Sequence, residues 1–363
     1  MHFSKLKFIK PKLLNKRKKI LVAPLNWGLG HATRCIPIIK ALESHEFEPI
    51  IASDGVALTL LKKEFPHLQH FELPSYNIHY SQDEKKFKWE LVKQIPKIIS
   101  AVKNEKKTIS KLVEELQLDG IISDNRLGVQ SKKVPSVFMT HQLNVLTGNT
   151  SYLTTKLHHF FINKFNECWI PDCNGSANLS GKLGHLDQPL KHLKYIGPLS
   201  RLHKKALPTK YEVMIILSGP EPQRTLLEEK LKAEFSTFNE PTLFVRGVVE
   251  EEQKIEQKNN ITFYNFMNSE QLEIAFNESD KIVCRSGYTT VMDLAQLGKK
   301  AFFIPTPGQY EQEYLAKKYK QEGVAPSCKQ DKFKLSKIEK IDLYRGLQNY
   351  STEIRWKDLF RLF

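Results

Sequence analysis

The sequence predicts an α/β protein built as two halves, each a parallel sheet flanked by helices, facing each other across a cleft. Three observations carry this expectation. From Lys19 onward, short apolar runs alternate with amphipathic stretches, as strand–helix–strand units do. The alternation stops over residues 174–210, where glycine, proline and basic residues follow without periodicity, and it restarts at Val213. Small-residue turns follow several of the strand-like runs, at the sheet edge where parallel α/β folds bind their ligands. A chain of 363 residues, at roughly 150 per domain, agrees with two domains.

In the first half, strands are expected over 20–25, 48–53, 68–73, 120–123, 136–139 and 168–170, with helices near 32–45, 56–65 and 86–117. The last of these is lysine-rich, with Ile109, Leu112 and Leu116 on its helical period. In the second half, strands are expected over 213–217, 242–245, 261–264, 281–284 and 301–304, with helices near 222–234, 269–277, 288–298 and 310–321. The organisation that follows is a basic tail over 1–18, a first domain over 19–200, a second over 201–343, and a segment, 344–363, that packs back on the first domain.

Composition removes several classes. With 40% apolar and 26% charged residues, 17 glycines and 18 prolines, the chain reads as soluble and globular. No apolar run approaches the ~18 residues of a membrane-spanning helix. The five cysteines, Cys35, Cys168, Cys173, Cys284 and Cys328, are odd in number and scattered, which suits a reducing cytoplasm. Cys168 and Cys173 have no second pair at zinc-ligand spacing and read as structural thiols.

The net charge of +15 is unevenly spread: residues 1–19 carry eight lysines and arginines and no acid. Apolar residues such as Phe3, Leu6, Phe8 and Leu13 alternate with these lysines, which suits adsorption to an anionic membrane surface. They form no hydrophobic core of a secretory signal. A polyanion-binding protein is the non-enzymatic alternative, but the basic runs lack aromatics interleaved on a strand platform and no DNA-binding spacing occurs, so nucleic acid is not expected as a partner.

The residues that carry chemistry sit at the strand ends. After the first strand comes Asn26-Trp27-Gly28-Leu29-Gly30-His31-Ala32-Thr33-Arg34, a glycine turn opening a helix whose free N–H groups favour anions. A dinucleotide fingerprint would want glycine where Thr33 stands, although Asp54 lies about where a ribose-binding acid belongs. His31 is placed to abstract a proton near neutral pH, and Asp124, closing the strand 120–123, is placed to orient its ring. Asn26, Arg34, His141 and Gln142, on the same edge, are candidates to contact an acceptor. His158 and His159 read as packing or surface residues.

In the second half, Ser218 and Gly219 offer backbone amides, and Arg224 follows one turn later, a set that could clamp a diphosphate. Arg285-Ser286-Gly287 with Thr290 forms a further strand–glycine–helix cradle, and Asp293 could hold a ribose diol. Gln309, Glu311 and Gln312 supply amides and a carboxylate suited to sugar hydroxyls, which need donors and acceptors alike.

These motifs bring out a resemblance. Residues 281–316, with Arg285-Ser286-Gly287, Thr290, Asp293 and the Pro305-to-Tyr314 segment containing Gln312, resemble the nucleotide-sugar-binding domain of glycosyltransferase family 28, the group of the peptidoglycan lipid-intermediate N-acetylglucosaminyltransferases. The Gly28-Leu29-Gly30-His31 turn is similar to that family's N-terminal glycine loop, and the likeness covers most of the chain after residue 18. In the family a glutamate usually stands at the place of Asp293, and glutamines at both Gln312 and Glu313. The resemblance implies a GT-B fold of two Rossmann-like domains, with the donor held by the second. It also implies inverting transfer of a hexose or N-acetylhexosamine from a UDP-sugar co-substrate to a hydroxyl acceptor, including a lipid-linked one. His31 and Asp124 match the base and supporting acid of related GT-B enzymes. No Asp-x-Asp triplet occurs in the chain, so no metal and no further cofactor are expected. Gly28-x-Gly30-His31-x-x-Arg34-Cys35 also resembles the loop of UDP-sugar hydrolases of nonulosonic acid synthesis, where the histidine assists water. The expected location is cytoplasmic, peripheral at the inner membrane face.

Overall fold

The first apolar run forms β1 (Lys19–Pro24), in which every residue after Lys19 is buried, as a strand covered on both faces must be. It leads into α1 (Leu29–Ser44), and the pattern continues through β2 (Glu48–Ser53), α2 (Gly55–Glu64), β3 (Gln69–Glu72), α3 (Glu84–Glu115), β4 (Gly120–Asp124), β5 (Ser136–Met139), α4 (Ser151–Ile162), β6 (Glu167–Ile170) and β7 (Leu193–Tyr195). These strands make one parallel sheet in the order β3-β2-β1-β4-β5-β6-β7. The computed structural model describes residues 16–76, 84–145, 151–188, 190–248, 250–348, 350 and 353–363. The basic tail therefore lies almost wholly outside the described residues.

The second sheet begins at β8 (Tyr211–Ile216) and runs through α5 (Gln223–Phe235), β9 (Thr242–Val245), β10 (Ile255–Lys258), β11 (Ile261–Tyr264), α6 (Ser269–Asn277), β12 (Ser279–Cys284), α7 (Tyr288–Leu297), β13 (Lys300–Phe303) and α8 (Tyr310–Gln321). Its order is β10-β11-β9-β8-β12-β13, parallel except for the β10–β11 hairpin. Two parallel α/β domains are thus observed, as the alternating pattern predicts. Two strands were not expected. β7 lies inside the stretch read as a linker, and its three residues are only half-buried. β10 is exposed along its whole length, so it leaves no apolar signal.

The strand orders matter for function. In each sheet the order reverses direction beside the first strand, between β1 and β4 and between β8 and β12. At such a switch point the loops leave toward opposite faces, and the carboxyl ends of the two strands open a crevice. Gly28–His31 and Asp124 flank the first crevice, and Ser218–Gly219 and Arg285–Gly287 flank the second.

The domains are packed together. One apolar cluster runs from Ile20, Ile36 and Trp169 to Met292, Phe303 and Leu315. Across the interface, Tyr288 Oη donates to the Pro171 carbonyl at 2.9 Å and Tyr319 Oη to the Leu179 carbonyl at 2.6 Å. After α8 the chain passes 3-10 turns over 330–343 and returns to the first domain, ending in α9 (Trp356–Leu359) and a last turn. There Phe360 meets Phe47 and His45 edge-on, each with centroids 5.5 Å away, and Phe363 packs near Trp169. The Phe363 ring stands where a Cβ on Gly120 would fall, so β4 needs glycine at its first position. Among the described residues, no helix is long and apolar enough to cross a membrane.

Phe360 is only 4% exposed, and its truncation would leave an aromatic-sized cavity between the returning segment and α1. Phe360→Ala is therefore expected to lower unfolding stability by about 3 kcal/mol. Urea unfolding followed by tryptophan fluorescence checks this, and an unchanged midpoint would mean the C-terminal return contributes nothing to the first domain.

Candidate active site

α1 starts at the β1 turn with Gly28 as its N-cap, at φ 74°, a backbone state that glycine adopts without steric cost. Gly30 is held close to the second domain: Thr289 Oγ1 donates to its carbonyl at 3.2 Å, and a Cβ at Gly30 would lie 2.8 Å from that hydroxyl. His31 follows in the first turn of the helix, where its side chain is 12% exposed.

β4 delivers Asp124 from the other side of the crevice, fully buried. His31 Nδ1 lies 3.1 Å from Asp124 Oδ2. Arg34, one turn further along α1, donates from Nε to Asp124 Oδ2 at 2.7 Å, and its Nη2 also bonds Asp124 Oδ1. The same guanidinium donates from Nη1 to His141 Nδ1 at 2.9 Å, and Nη2 stands 2.8 Å from His31 Nδ1. Because His141 Nδ1 accepts from Arg34, its proton sits on Nε2, which donates to Glu311 Oε1 of α8 at 3.0 Å. Gln142 Nε2 bonds the other oxygen of Glu311. His141 also stacks flat on Tyr288 of α7, with centroids 4.3 Å apart. A chain of charged groups thus passes from the first domain's crevice to the second domain.

The electrostatics follow from this packing. Burial opposes ionisation of Asp124, but the Arg34 guanidinium foremost, and then His31, hold its carboxyl down at about 2. Burial and the Arg34 charge lower the His31 imidazole below its ordinary value, against the pull of Asp124. His31 is therefore neutral at physiological pH. His31 Nδ1 faces both a donor, Arg34 Nη2, and an acceptor, Asp124 Oδ2; in the tautomer whose Nδ1–H donates to Asp124, the lone pair on Nε2 is the available base. Glu311 is also kept ionised despite burial, by His141 and Arg34.

In the second crevice, Gly219 adopts φ 106°, and Gly287 caps the N-terminus of α7 with no atom within 4 Å of a Cβ built on it. Ser286 Oγ donates to the Gln312 carbonyl at 2.7 Å, and Gln312 Oε1 accepts from the Thr306 amide at 2.9 Å. Gln309 Oε1 accepts from Gln312 Nε2 at 2.5 Å. These bonds tie the β12 and β13 turns into one cradle, with Thr290 in the first turn of α7.

Several expected site residues are engaged elsewhere. Arg224, expected at a diphosphate, sits in ion pairs with Glu221 and Glu228, each at 2.5 Å. Its acids stand three residues before and four after it, helix spacings that outcompete a distant anion. Arg285 is buried beneath the cradle, where its Nη atoms donate to the Ile304, Pro305 and Gln223 carbonyls. Asn26 is turned to α2, donating to Asp54 and accepting from the Ala57 amide. Arg34 is 2% exposed and serves Asp124 instead of an acceptor. Asp293 accepts from Ser200 Oγ at 2.6 Å, and burial raises its carboxyl to about 6 against the opposing Arg201 charge. Asp54, the ribose acid of the dinucleotide reading, is bound to the buried Arg126 at 2.6 Å. One further residue belongs here. Thr306 Oγ1 is buried without a hydrogen-bond partner among the described residues, 3.7 Å from where a Cβ on Gly219 would stand. Its place between Pro305 and Pro307 at a strand end was the available signal.

Residues 224–351 match the family model described as the glycosyltransferase family 28 C-terminal domain. The chain is a GT-B glycosyltransferase carrying a family 28 C-terminal domain. A curated relative from Haemophilus influenzae (strain PittEE) is 24% identical over 313 residues, covering 84% of this chain and 83% of its own. It is named UDP-N-acetylglucosamine–N-acetylmuramyl-(pentapeptide) pyrophosphoryl-undecaprenol N-acetylglucosamine transferase. Among solved structures, a glycotransferase of kitacinnamycin superposes with TM-score 0.63 at 13% identity, over 90% of this chain and 89% of that one. MurG of Acinetobacter baumannii superposes with TM-score 0.57 at 12% identity, over 95% and 98%. In this glycosyltransferase the family 28 match covers the second crevice from Arg224 onward, and the superpositions extend the fold over both domains. The hydrolase alternative draws no support from these comparisons.

The geometry gives the enzyme a pH signature. The His31 ring is expected to titrate below 6.5. In Asp124→Asn it should titrate lower still, since the anion that favours the imidazolium is gone while the Arg34 cation stays. Histidine NMR titration checks both. A value at or above 6.5 in the parent chain would contradict the buried, arginine-bound placement of the ring.

Proposed function

We propose that this glycosyltransferase moves a hexose or N-acetylhexosamine from a UDP-sugar to a hydroxyl of a lipid-linked saccharide, with inversion and without a metal ion. The observation that carries the reading is the His31–Asp124 pair at the switch point of the first sheet, beside the glycine cradle of the family 28 domain. The name of the Haemophilus influenzae relative makes UDP-N-acetylglucosamine the first donor to try and an undecaprenol-linked acceptor the first acceptor.

In this reading His31 Nε2 takes the proton of the acceptor hydroxyl. The acceptor oxygen bonds to the anomeric carbon from the face opposite the nucleotide, and the carbon–oxygen bond to UDP breaks. The proton rests on His31, where Asp124 stabilises the imidazolium. Charge accumulates on the departing diphosphate, where the N-terminus of α7 and the amides of Ser218, Gly219 and Gly287 stabilise it. Such preorganised dipoles can serve where other enzymes place a cation. Gln309, Glu311 and Gln312 supply donors and acceptors to the sugar hydroxyls, and Asp293 is assigned to the ribose, which requires it to exchange its Ser200 partner. A cytoplasmic enzyme held at the inner membrane face, in part by the basic residues 1–18, would meet both a soluble donor and a lipid-linked acceptor.

Two variants separate the roles. Gly287→Val should keep the parent melting temperature, because the backbone there is extended at φ −69° and ψ 140° and a Cβ on it has no neighbour within 4 Å. It should abolish binding of UDP and UDP-N-acetylglucosamine in metal-free calorimetry, because the branched side chain fills the mouth of the cradle. His31→Ala should bind the donor as the parent does and lose transfer by about 10²–10⁴-fold. Undiminished donor binding in Gly287→Val would remove the cradle from the mechanism, and undiminished transfer in His31→Ala would remove the base.

A further inference from the structure

His141, expected from the sequence at an acceptor, is buried in the seam between the domains, at 5% exposure. It stands two residues after β5, the strand that pairs with β4 and its Asp124. Its ring is clamped flat: Tyr288 stacks on it with an interplanar angle of 2°, and Tyr288 Oη is tied to the Pro171 carbonyl. Both ring nitrogens are used. A guanidinium has donors only, so His141 Nδ1 accepts from Arg34 Nη1 at 2.9 Å, and the Nε2–H donates to Glu311 at 3.0 Å. His141 thus gives one N–H of Arg34 a buried acceptor that is neither Asp124 nor His31.

The need for such an acceptor lies at His31. Nδ1 of that ring is 3.1 Å from Asp124 Oδ2 and 2.8 Å from Arg34 Nη2. One partner accepts and the other donates, so the two contacts favour opposite tautomers. With the proton on Nδ1, the ring donates to Asp124, and Nε2 carries the lone pair that can take a proton from a hydroxyl. With the proton on Nε2, Nδ1 accepts from Arg34 and no lone pair is left for the hydroxyl. Arg34 is 2% exposed, so an N–H deprived of His141 has no water to turn to, and buried donors are rarely left unpaired. Its other side-chain partners are Asp124 and His31 Nδ1, and a guanidinium drawn toward them favours the second tautomer.

We propose that His141 is a positioning residue for His31: by holding Arg34 Nη1 it limits the claim of the guanidinium on His31 Nδ1, and so keeps the His31 proton on the Asp124 side. Glu311 of the second domain fixes the His141 tautomer in which this is possible. That the arrangement serves deprotonation of an acceptor rests on the function proposed above; the tautomer of His31 does not. A role confined to joining the domains would use only the Nε2 contact with Glu311. The two roles therefore fall on different nitrogens of one ring.

Substitution separates them. An asparagine amide places an oxygen near the position of Nδ1, and a glutamine amide reaches that of Nε2. His141→Asn therefore keeps an acceptor for Arg34, and His141→Gln keeps a contact with Glu311. His141→Phe keeps the stack on Tyr288 and lacks both nitrogens. The first readout is NMR of the ring nitrogens in the histidine-labelled full chain, with the His31 signals identified by their loss in His31→Ala. The parent and His141→Asn should show His31 with its proton on Nδ1, and His141→Gln and His141→Phe should show it mainly on Nε2. The second readout is transfer from UDP-N-acetylglucosamine: kcat should stay near the parent value in His141→Asn and fall about 10-fold or more in the other two, with the donor KM little changed. The reverse order, with His141→Gln like the parent and His141→Asn impaired, would confine His141 to the domain contact and overturn the proposal. So would a parent His31 protonated on Nε2, or one tautomer shared by the parent and His141→Phe. If no UDP-sugar is turned over, the function proposed above fails, and the NMR readout still decides what His141 does to His31.

Discussion

The buried contact between Arg34 and Asp124 is the constraint on which the site depends. Neither group could remain charged in the interior without the other, since an isolated ion there carries a desolvation cost of several kcal/mol. The pair ties the first turns of α1 to the end of β4 across the switch point. It thereby sets where His31 stands, and it gives the imidazole an anion on which to lean. It also has an electrical consequence. Burial lowers the His31 imidazole first, and the guanidinium shared between Asp124 and the two histidines lowers it further against the pull of the carboxylate.

In the second crevice the two arginines expected to act as cations are engaged within the protein. Arg224 and Arg285 are both spoken for, the first by carboxylates and the second by carbonyls. The positive character at the cradle then comes from backbone: the N-terminus of α7 and the amides after β8. Dipoles fixed in place by the fold need no reorganisation as charge develops, whereas a surface arginine must be ordered first. Thr306 adds a buried hydroxyl without a hydrogen-bond partner among the described residues.

Much of this was legible in the sequence because parallel strands covered on both faces must be almost wholly apolar. β1, β4, β5 and β9 are such strands, as is β12 from Ile282 onward, and glycine turns follow β1, β8 and β12. β7 and β10 were hidden because edge strands bury too little to leave a pattern. The destination of Arg224 could have been inferred, since Glu221 and Glu228 stand at helix spacing from it. The destinations of Asn26 and Asp54 could not. Asp54 meets Arg126 across 72 positions, a pairing that exists only once β2 and β4 flank β1 in the sheet.

Glu311 shows how the two crevices become one site. Its carboxylate belongs to the second domain, yet His141 and Gln142 of the first domain donate to it, one to each oxygen. A carboxylate offers about four lone-pair positions, so these two bonds leave capacity for hydroxyl donors. The group can therefore hold the domains together and accept from a sugar at once. Because His141 receives its other bond from Arg34, a change at Glu311 is felt at the same guanidinium that supports Asp124. A continuous path of three side chains, Glu311, His141 and Arg34, thus runs by hydrogen bonds from the second domain to Asp124.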